Sequence, residues 1–484
     1  MADSPTTSGH SEPLAVDISN DAVSERATWS GKLAFVLAGA ASAVGLGNLW
    51  RYPSLAAKYG GGAFVLTYII LVLILGFTYM ITEIGIGRRT KLSGISAFTR
   101  MAADTGHKGA GWKAVGLFEI IVPCIIGPYY CVIGGWILKY MVGYALGAAD
   151  EIAGTSYFTS FITSDSEPVA WTLLFCGITM LVIILGVNQG IEKLNKYAMP
   201  ALLVLAIAIA VYAIATLPGA GAGVAYFLIP KASDFSVMTV VAAAGQMFYS
   251  LSLAMGIMIT YGSYMKRSEH LASSAGWICL FDTVIAVLAG LMVVPATYSF
   301  GGVEATKQAG AGLMFQTLPQ VFDTMPLSSL VGFLYFALVF FAALTSSVSI
   351  IEAVVSGIDD ASHVGRRKSV RIVGIALIVL ALLPTLGYSV LSWVHFPIGS
   401  ADMTILDFAD FISNSVIMPA LALVVSILVG WVVKPGYIVE EVEADGTRFA
   451  LRKVYVFLLK FVVPILLGVV LVSSILNSVG VISI

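Results

Sequence analysis

A chain of 484 residues that is 58% hydrophobic and only 11% charged, with a mean hydropathy of +0.93, has too little polar side chain to cover a water-soluble globule. It belongs in a lipid bilayer. A net charge of −2 and a pI near 6.2 leave no basic face for nucleic acid.

In chain order, residues 1–25 are rich in Ser, Thr, Asp and Glu and carry no apolar run, so they read as a disordered cytoplasmic tail and not as a cleaved signal. Apolar windows then open near residues 31, 63, 115, 169, 193, 236, 272, 327, 369, 407 and 453. Each is long enough for a helix to cross roughly 30 Å of hydrocarbon, and in lipid a helix satisfies its own backbone polar groups. The expectation is an all-α membrane protein with about 11 transmembrane helices in one domain over 26–484. Cys124, Cys131, Cys176 and Cys279 all lie in apolar segments, without disulfide or metal-ligand spacing, and read as core thiols.

The loops give an orientation. With the N-terminus in the cytoplasm, 20 Lys and Arg fall inside, against Arg51, Lys58, Lys139, Lys231 and Lys307 outside, with Lys460 within the last span. By the positive-inside rule this predicts an inner-membrane, multi-pass protein with its C-terminus outside.

The first window contains Gly39, Gly45 and Gly47, and the sixth contains Ser250, Ser252 and Gly256 near mid-membrane. Such residues either break a helix or let neighbours pack closely. Windows one and six are corresponding members of two sets of five. A 5+5 inverted repeat with its site at two breaks has that spacing, with repeats at about 30–216 and 236–433 and an extra helix at about 453–480.

Unwound carbonyls and hydroxyls suit a small hard cation, and the free amides at a half-helix N-terminus suit a carboxylate. Thr345, Ser346, Ser347 and Ser349 crowd one apolar run of the eighth window. Helical hydroxyls often bond only to their own backbone, but four in five positions is dense. Glu83, Glu119, Asp282 and Glu352 are ionisable groups within apolar spans and so candidates for function. For Glu119 and Glu352 the preferred reading is a buried structural acceptor or a protonated, hydrogen-bonded carboxyl. No nucleophile–base pair, metal cluster or phosphate loop appears, so no enzyme is expected.

The run Ala43-Val44-Gly45-Leu46-Gly47-Asn48-Leu49-Trp50-Arg51-Tyr52-Pro53, followed by Gly60-Gly61-Gly62-Ala63-Phe64, resembles the first-helix signature of neurotransmitter:sodium symporters. The resemblance continues through Glu83 with Gly87-Arg88, Tyr129-Tyr130, Gly190 with Pro200, Gln246 to Ser252, Ile259 to Tyr264, Leu344 to Ser347, and Asp407 with Asp410. It covers about Arg26 to the C-terminus, and the eleven-span length is similar to the shorter bacterial members.

The resemblance implies sodium-coupled import of a hydrophobic amino acid by alternating access. A first sodium would be held by the Ala43 carbonyl, Asn48, Ser250 and Asp282 together with the substrate carboxylate, and a second by carbonyls of Ala41, Val44 and Ala342 with the hydroxyls of Thr345 and Ser346. Substrate would meet the Leu46 and Gly47 amides and a wall of Ile126, Tyr130, Tyr249, Ser250, Ser252, Met255, Ser346 and Ile350. Arg51 and Asp410 would pair across the outer mouth with Gln246 nearby. Arg26 and Asp360 would pair across the inner mouth beside Trp29, Ser263 and Tyr264. Glu83 would support the helix break, while Gly190 and Pro200 would let the fifth helix unwind.

Two positions depart from the family pattern. Asp282 stands where the leucine-carrying members have asparagine and near where animal members bind chloride, so a fixed carboxylate predicts chloride-independent transport. Ala254-Met255-Gly256 replaces glycine-phenylalanine-glycine, and flexible methionine suits a larger aromatic or long aliphatic substrate. Ser42 stands where monoamine carriers place an acid, which disfavours an amine. The rival readings are a proton-coupled amino-acid carrier of the same architecture and a sensor that binds without translocation.

Overall fold

The computed structural model describes residues 26–306, 311–398 and 401–478, and the expected tail at 1–25 lies outside them. Among the described residues nine helices are long and apolar enough to cross a membrane. They are Gly62–Thr90, Ala110–Ala145, Glu167–Ile184, Val187–Thr216, Leu271–Gly302, Ser328–Ser362, Arg366–Leu386, Ile405–Val432 and Arg452–Leu476. A further span is bent, its halves Lys32–Ala43 and Gly47–Lys58 meeting at 51°. The sixth predicted window holds two shorter helices, Val237–Ser250 and Ile257–Ser263, separated by residues 251–256.

These segments, counted along the chain, are spans one to eleven. The third and fifth begin earlier than the hydropathy predicts, at Ala110 and Val187 instead of 115 and 193. In both cases the first helical turns carry Lys or Glu, which an apolar window rejects although a helix tolerates them outside the hydrocarbon.

The third and eighth spans form the centre: 83% of each core window is buried, against 22% for the eleventh. Their axes approach at small residues. A Cβ at Gly127 would lie 2.7 Å from Ile351 Cδ1, and one at Gly357 2.7 Å from Ile120 Cδ1. In lipid, where hydrophobic burial does not separate one helix face from another, such close packing holds helices together. The first and sixth spans lie against this pair, with the seventh behind them.

One end of the bundle is tied by charge. Arg88, fully buried at the end of span two, pairs with Glu441 at 2.9 Å and donates to the Glu269 carbonyl at 2.7 Å. It thereby fastens the helix Gly436–Val442 and the loop after span six to one point. A buried arginine stays charged, so burial is tolerated only where its donors find such acceptors.

Candidate transport site

Both interrupted spans are open where the sequence placed their small residues. At Val44 the backbone turns extended (φ −75°, ψ 97°), which frees the groups that would continue the helix. The Gly45 amide turns to Asn48 Oδ1 at 3.1 Å, and the Leu46 amide to the Tyr130 hydroxyl at 3.2 Å. The carbonyls of Ala41, Ser42 and Val44 gather around Ser346 Oγ at 3.5, 3.2 and 3.3 Å. Glycine is required here for space: a Cβ on Gly45 would stand 2.6 Å from Ser346 Oγ, and one on Gly47 2.8 Å from the Tyr249 ring. Break and close packing, alternatives in the sequence, occur together.

Span six opens differently. Ser252, Ala254 and Gly256 all adopt left-handed backbone, with φ of 53°, 57° and 68°. For Ser and Ala this costs roughly 1–2 kcal/mol each and persists only where surroundings fix it. Glu83, from span two, does so by accepting the Ala254 amide at 2.7 Å, and Ser252 Oγ donates to the Ser42 carbonyl at 3.0 Å.

Asp282 on span seven joins the two breaks. Its Oδ1 accepts from Asn48 Nδ2 at 2.8 Å and Ser250 Oγ at 2.7 Å, while Oδ2 accepts from the Tyr68 hydroxyl at 2.8 Å. Asn48, Ser250 and Asp282 are thus brought together, and Ala43 and Ser250 line one cavity between the breaks, with Asn48 and Asp282 behind its wall. Tyr68 was missed; a tyrosine one span away, in a run of apolar residues, gives no sequence signal of its target. The second group divides. Ser346 reaches the Ala41 and Val44 carbonyls, whereas the Thr345 hydroxyl bonds back to Phe341 and Ala342 carbonyls at 3.0 and 3.1 Å.

All ten residues predicted to meet substrate line one cavity between the breaks, joined there by Ser42, Ala43 and Gly45. Its walls at Ile126, Met255 and Ile350 are apolar, and its floor is main chain and hydroxyl oxygen. Among the described residues no three His, Cys, Asp or Glu cluster as metal ligands; main-chain and hydroxyl oxygens such as those lining this cavity are hard ligands of the kind that suit a small hard cation.

The two mouths differ. Arg26 Nη1 meets Asp360 Oδ1 at 2.6 Å, and its other nitrogens donate to Ser263, Ser93 and Ser356 hydroxyls at 2.9–3.0 Å. The guanidinium also lies 5.1 Å above the Tyr264 ring. Trp29, buried beside it, donates to the Tyr261 and Tyr264 carbonyls. Ser93, Ser356 and Tyr261 are members that the sequence did not reveal.

The predicted pairing of Arg51 with Asp410 is absent. Arg51 lies 5.1 Å above the Tyr249 ring, and Asp410 accepts from Asn414 Nδ2 at 2.6 Å. Asn414, one turn along the same helix, also bonds the Tyr129 hydroxyl, so it supplies Asp410 with a donor that needs no approach by Arg51. Gln246 Nε2 donates to the Gly47 carbonyl at 2.9 Å, behind the break.

The fifth span is wound from Val187 to Thr216, with a wide turn over Val187–Glu192 that contains Gly190; Pro200 lies within the helix without interrupting it. Asn188 and Glu192 hold that turn to the chain before span one, through the Thr28 carbonyl at 3.0 Å and the Ser30 amide at 3.2 Å. The predicted unwinding is not a feature of this conformation.

A profile of the sodium:neurotransmitter symporter family matches residues 26–146 and 158–481. The chain belongs to this family. A sodium-dependent transporter of Bacillus subtilis (strain 168), described as uncharacterized, is 33% identical to this symporter, over 94% of the chain and 98% of its own length. One from Methanocaldococcus jannaschii is 33% identical over 84% of the chain and 82% of its own length. Among solved structures, MhsT in complex with L-phenylalanine matches with a TM-score of 0.82 and 33% identity, covering 93% of this chain and all of that one. The symporter therefore has the inverted-repeat fold with broken spans one and six, couples transport to sodium, and is a secondary transporter rather than an enzyme.

Proposed function

We propose that this symporter imports a hydrophobic L-amino acid, aromatic or large aliphatic, together with sodium by alternating access. The observation that carries the reading is the cavity where Leu46, Ser250 bonded to Asp282, and the apolar walls at Ile126, Met255 and Ile350 converge. A substrate carboxylate would take the Leu46 and Gly47 amides, and its side chain would lie against Met255 and the tyrosines. MhsT, which the chain resembles, is seen with L-phenylalanine, consistent with that choice.

The first sodium would use Ala43, Asn48, Ser250 and Asp282 with the substrate's own carboxylate, so each raises the affinity of the other by one shared linkage energy. The second would use Ala41, Val44, Ala342, Thr345 and Ser346. These are neutral ligands, and an ion held by them leaves readily once water arrives. The Asp282 carboxylate supplies a fixed negative charge beside the first ion, so chloride is not required. The protein would lie in the inner membrane with the Arg26 mouth toward the cytoplasm.

Purified symporter in proteoliposomes should accumulate aromatic or long aliphatic amino acids against their gradient when sodium is the only driving force. Replacing chloride by gluconate should leave the rate unchanged. Accumulation without sodium, or equal substrate affinity in potassium and in sodium, would overturn the reading in favour of a proton-coupled carrier or a sensor.

A further inference from the structure

Three carboxylate oxygens in the core lack a hydrogen-bond donor: Glu83 Oε2 and both side-chain oxygens of Glu119. The two residues are 0% and 1% exposed. Their condition is not shared by the other buried acids. Asp282 takes three donors, and Glu352 takes both Arg366 terminal nitrogens and the Tyr264 hydroxyl.

Both orphaned acids flank the interruption of span six. Glu83 spends Oε1 on the Ala254 amide. Glu119, from span three, backs onto Gly256, where an added Cβ would lie 2.7 Å from the Glu119 carbonyl oxygen and 3.4 Å from its Cβ. The Gly256 amide lies near the Glu119 carboxyl without completing a bond to it. The two carboxyls act on each other electrostatically, and the other titratable group facing both is Tyr79, whose hydroxyl points to the Ala422 carbonyl at 3.4 Å.

Two ionised carboxylates in this place would repel and leave three lone oxygens buried without a donor or cation. A single proton removes both costs. Glu83 already accepts an amide, which favours its ionised form, so the proton belongs on Glu119. We propose that Glu83 and Glu119 together hold one resident proton, with the Glu119 O–H donating to Glu83 Oε2. Glu83 then carries the pair's one negative charge and grips the Ala254 amide. Glu119 is a positioning residue: it fixes the carboxylate that fixes the left-handed turn carrying Ser252 and Met255 into the substrate cavity.

The proposal rests on no particular substrate. Infrared spectra of the reconstituted wild type at neutral pH should contain a protonated-carboxyl C=O band that disappears in Glu119→Gln. That variant, whose amide N–H replaces the O–H donor, should keep uptake within about two-fold of wild type, whereas Glu119→Leu, with no donor, should lose about ten-fold or more. Failure to find a band assignable to Glu119 would overturn the proposal, as would uptake by Glu119→Leu equal to that of Glu119→Gln. Should Glu119→Leu not fold, the spectrum of wild type against Glu119→Gln decides alone.

Discussion

The two ends of the transport path hold their charged pairs in opposite ways. At one, Arg26 engages Asp360 and three serine hydroxyls, and Asp360 Oδ2 takes both the Ser93 amide and its hydroxyl at 2.8 and 2.7 Å. At the other, Arg51 rests on an aromatic face and Asp410 on an asparagine, each satisfied by a neutral partner. A gate residue must be satisfied in both its states. If Arg51 and Asp410 form the proposed outer gate, Tyr249 and Asn414 would serve as the stand-ins that let it part without exposing bare charge. The Arg26 mouth has neutral partners too, the Tyr264 ring for Arg26 and Ser93 for Asp360, but there the ion pair is made as well, so opening it would require water to replace four acceptors of Arg26, the Asp360 carboxylate and three serine hydroxyls.

That contrast predicts unequal responses to mutation. Arg26→Ala removes charge-assisted bonds of about 1.5–3 kcal/mol each and leaves the Asp360 carboxylate held by Ser93 alone. Hydrogen exchange at amides of residues 28–36 should quicken by about ten-fold or more in sodium buffer, with uptake falling to match; unchanged exchange would mean the network does not hold that mouth shut. Ser93→Ala combined with Ser356→Ala removes neutral bonds of about 0.5–1.5 kcal/mol each, so the same exchange should rise only several-fold. Asn414→Leu removes a stand-in at the other mouth. Asp410 should then draw toward Arg51, slowing substrate association by about two- to three-fold in rapid-mixing binding measurements while leaving the 28–36 amides alone.

Much of this was legible in the sequence because it depends on local composition. Gly45 and Gly47 mark the first break by having no side chain to collide with Ser346, Tyr130 or Tyr249. The hydropathy windows located every span. What stayed hidden depends on long-range pairing of common residues. Tyr68 is one tyrosine among twenty until the fold carries it to Asp282. Ser93 and Ser356 are unremarkable hydroxyls 263 positions apart that meet at 2.7 Å beneath Arg26. The Arg51–Asp410 pairing failed for a related reason. A motif names residues that meet at some point in a cycle, and which conformation is populated depends on competitors such as Asn414. Glu119 is a different case: as a lone acid it suggested either a structural acceptor or a protonated carboxyl, and only the fold, which leaves it without a donor, separates the two.

The smallest expected effect concerns Lys91, which follows span two at the Arg26 end of the path. It has left-handed backbone (φ 58°) and bonds the Met265 carbonyl. Burial, assisted by the like charges of Arg88, Arg267 and Arg26, pushes its ammonium down from the ordinary 10.5 to about 8, against the pull of Glu441. Between those values the unfolded chain binds more protons than the folded one, so stability should rise as pH climbs from about 8 toward 10.5. Below pH 8 both states are charged and the burial penalty is present in full. Lys91→Met abolishes the proton difference, so its melting temperature should gain on wild type at pH 7 and the gain should shrink by pH 10. The side chain is partly solvated, which keeps the shift small. A constant offset across that range would show instead that the Lys91 ammonium pays no penalty where it closes onto the end of span six.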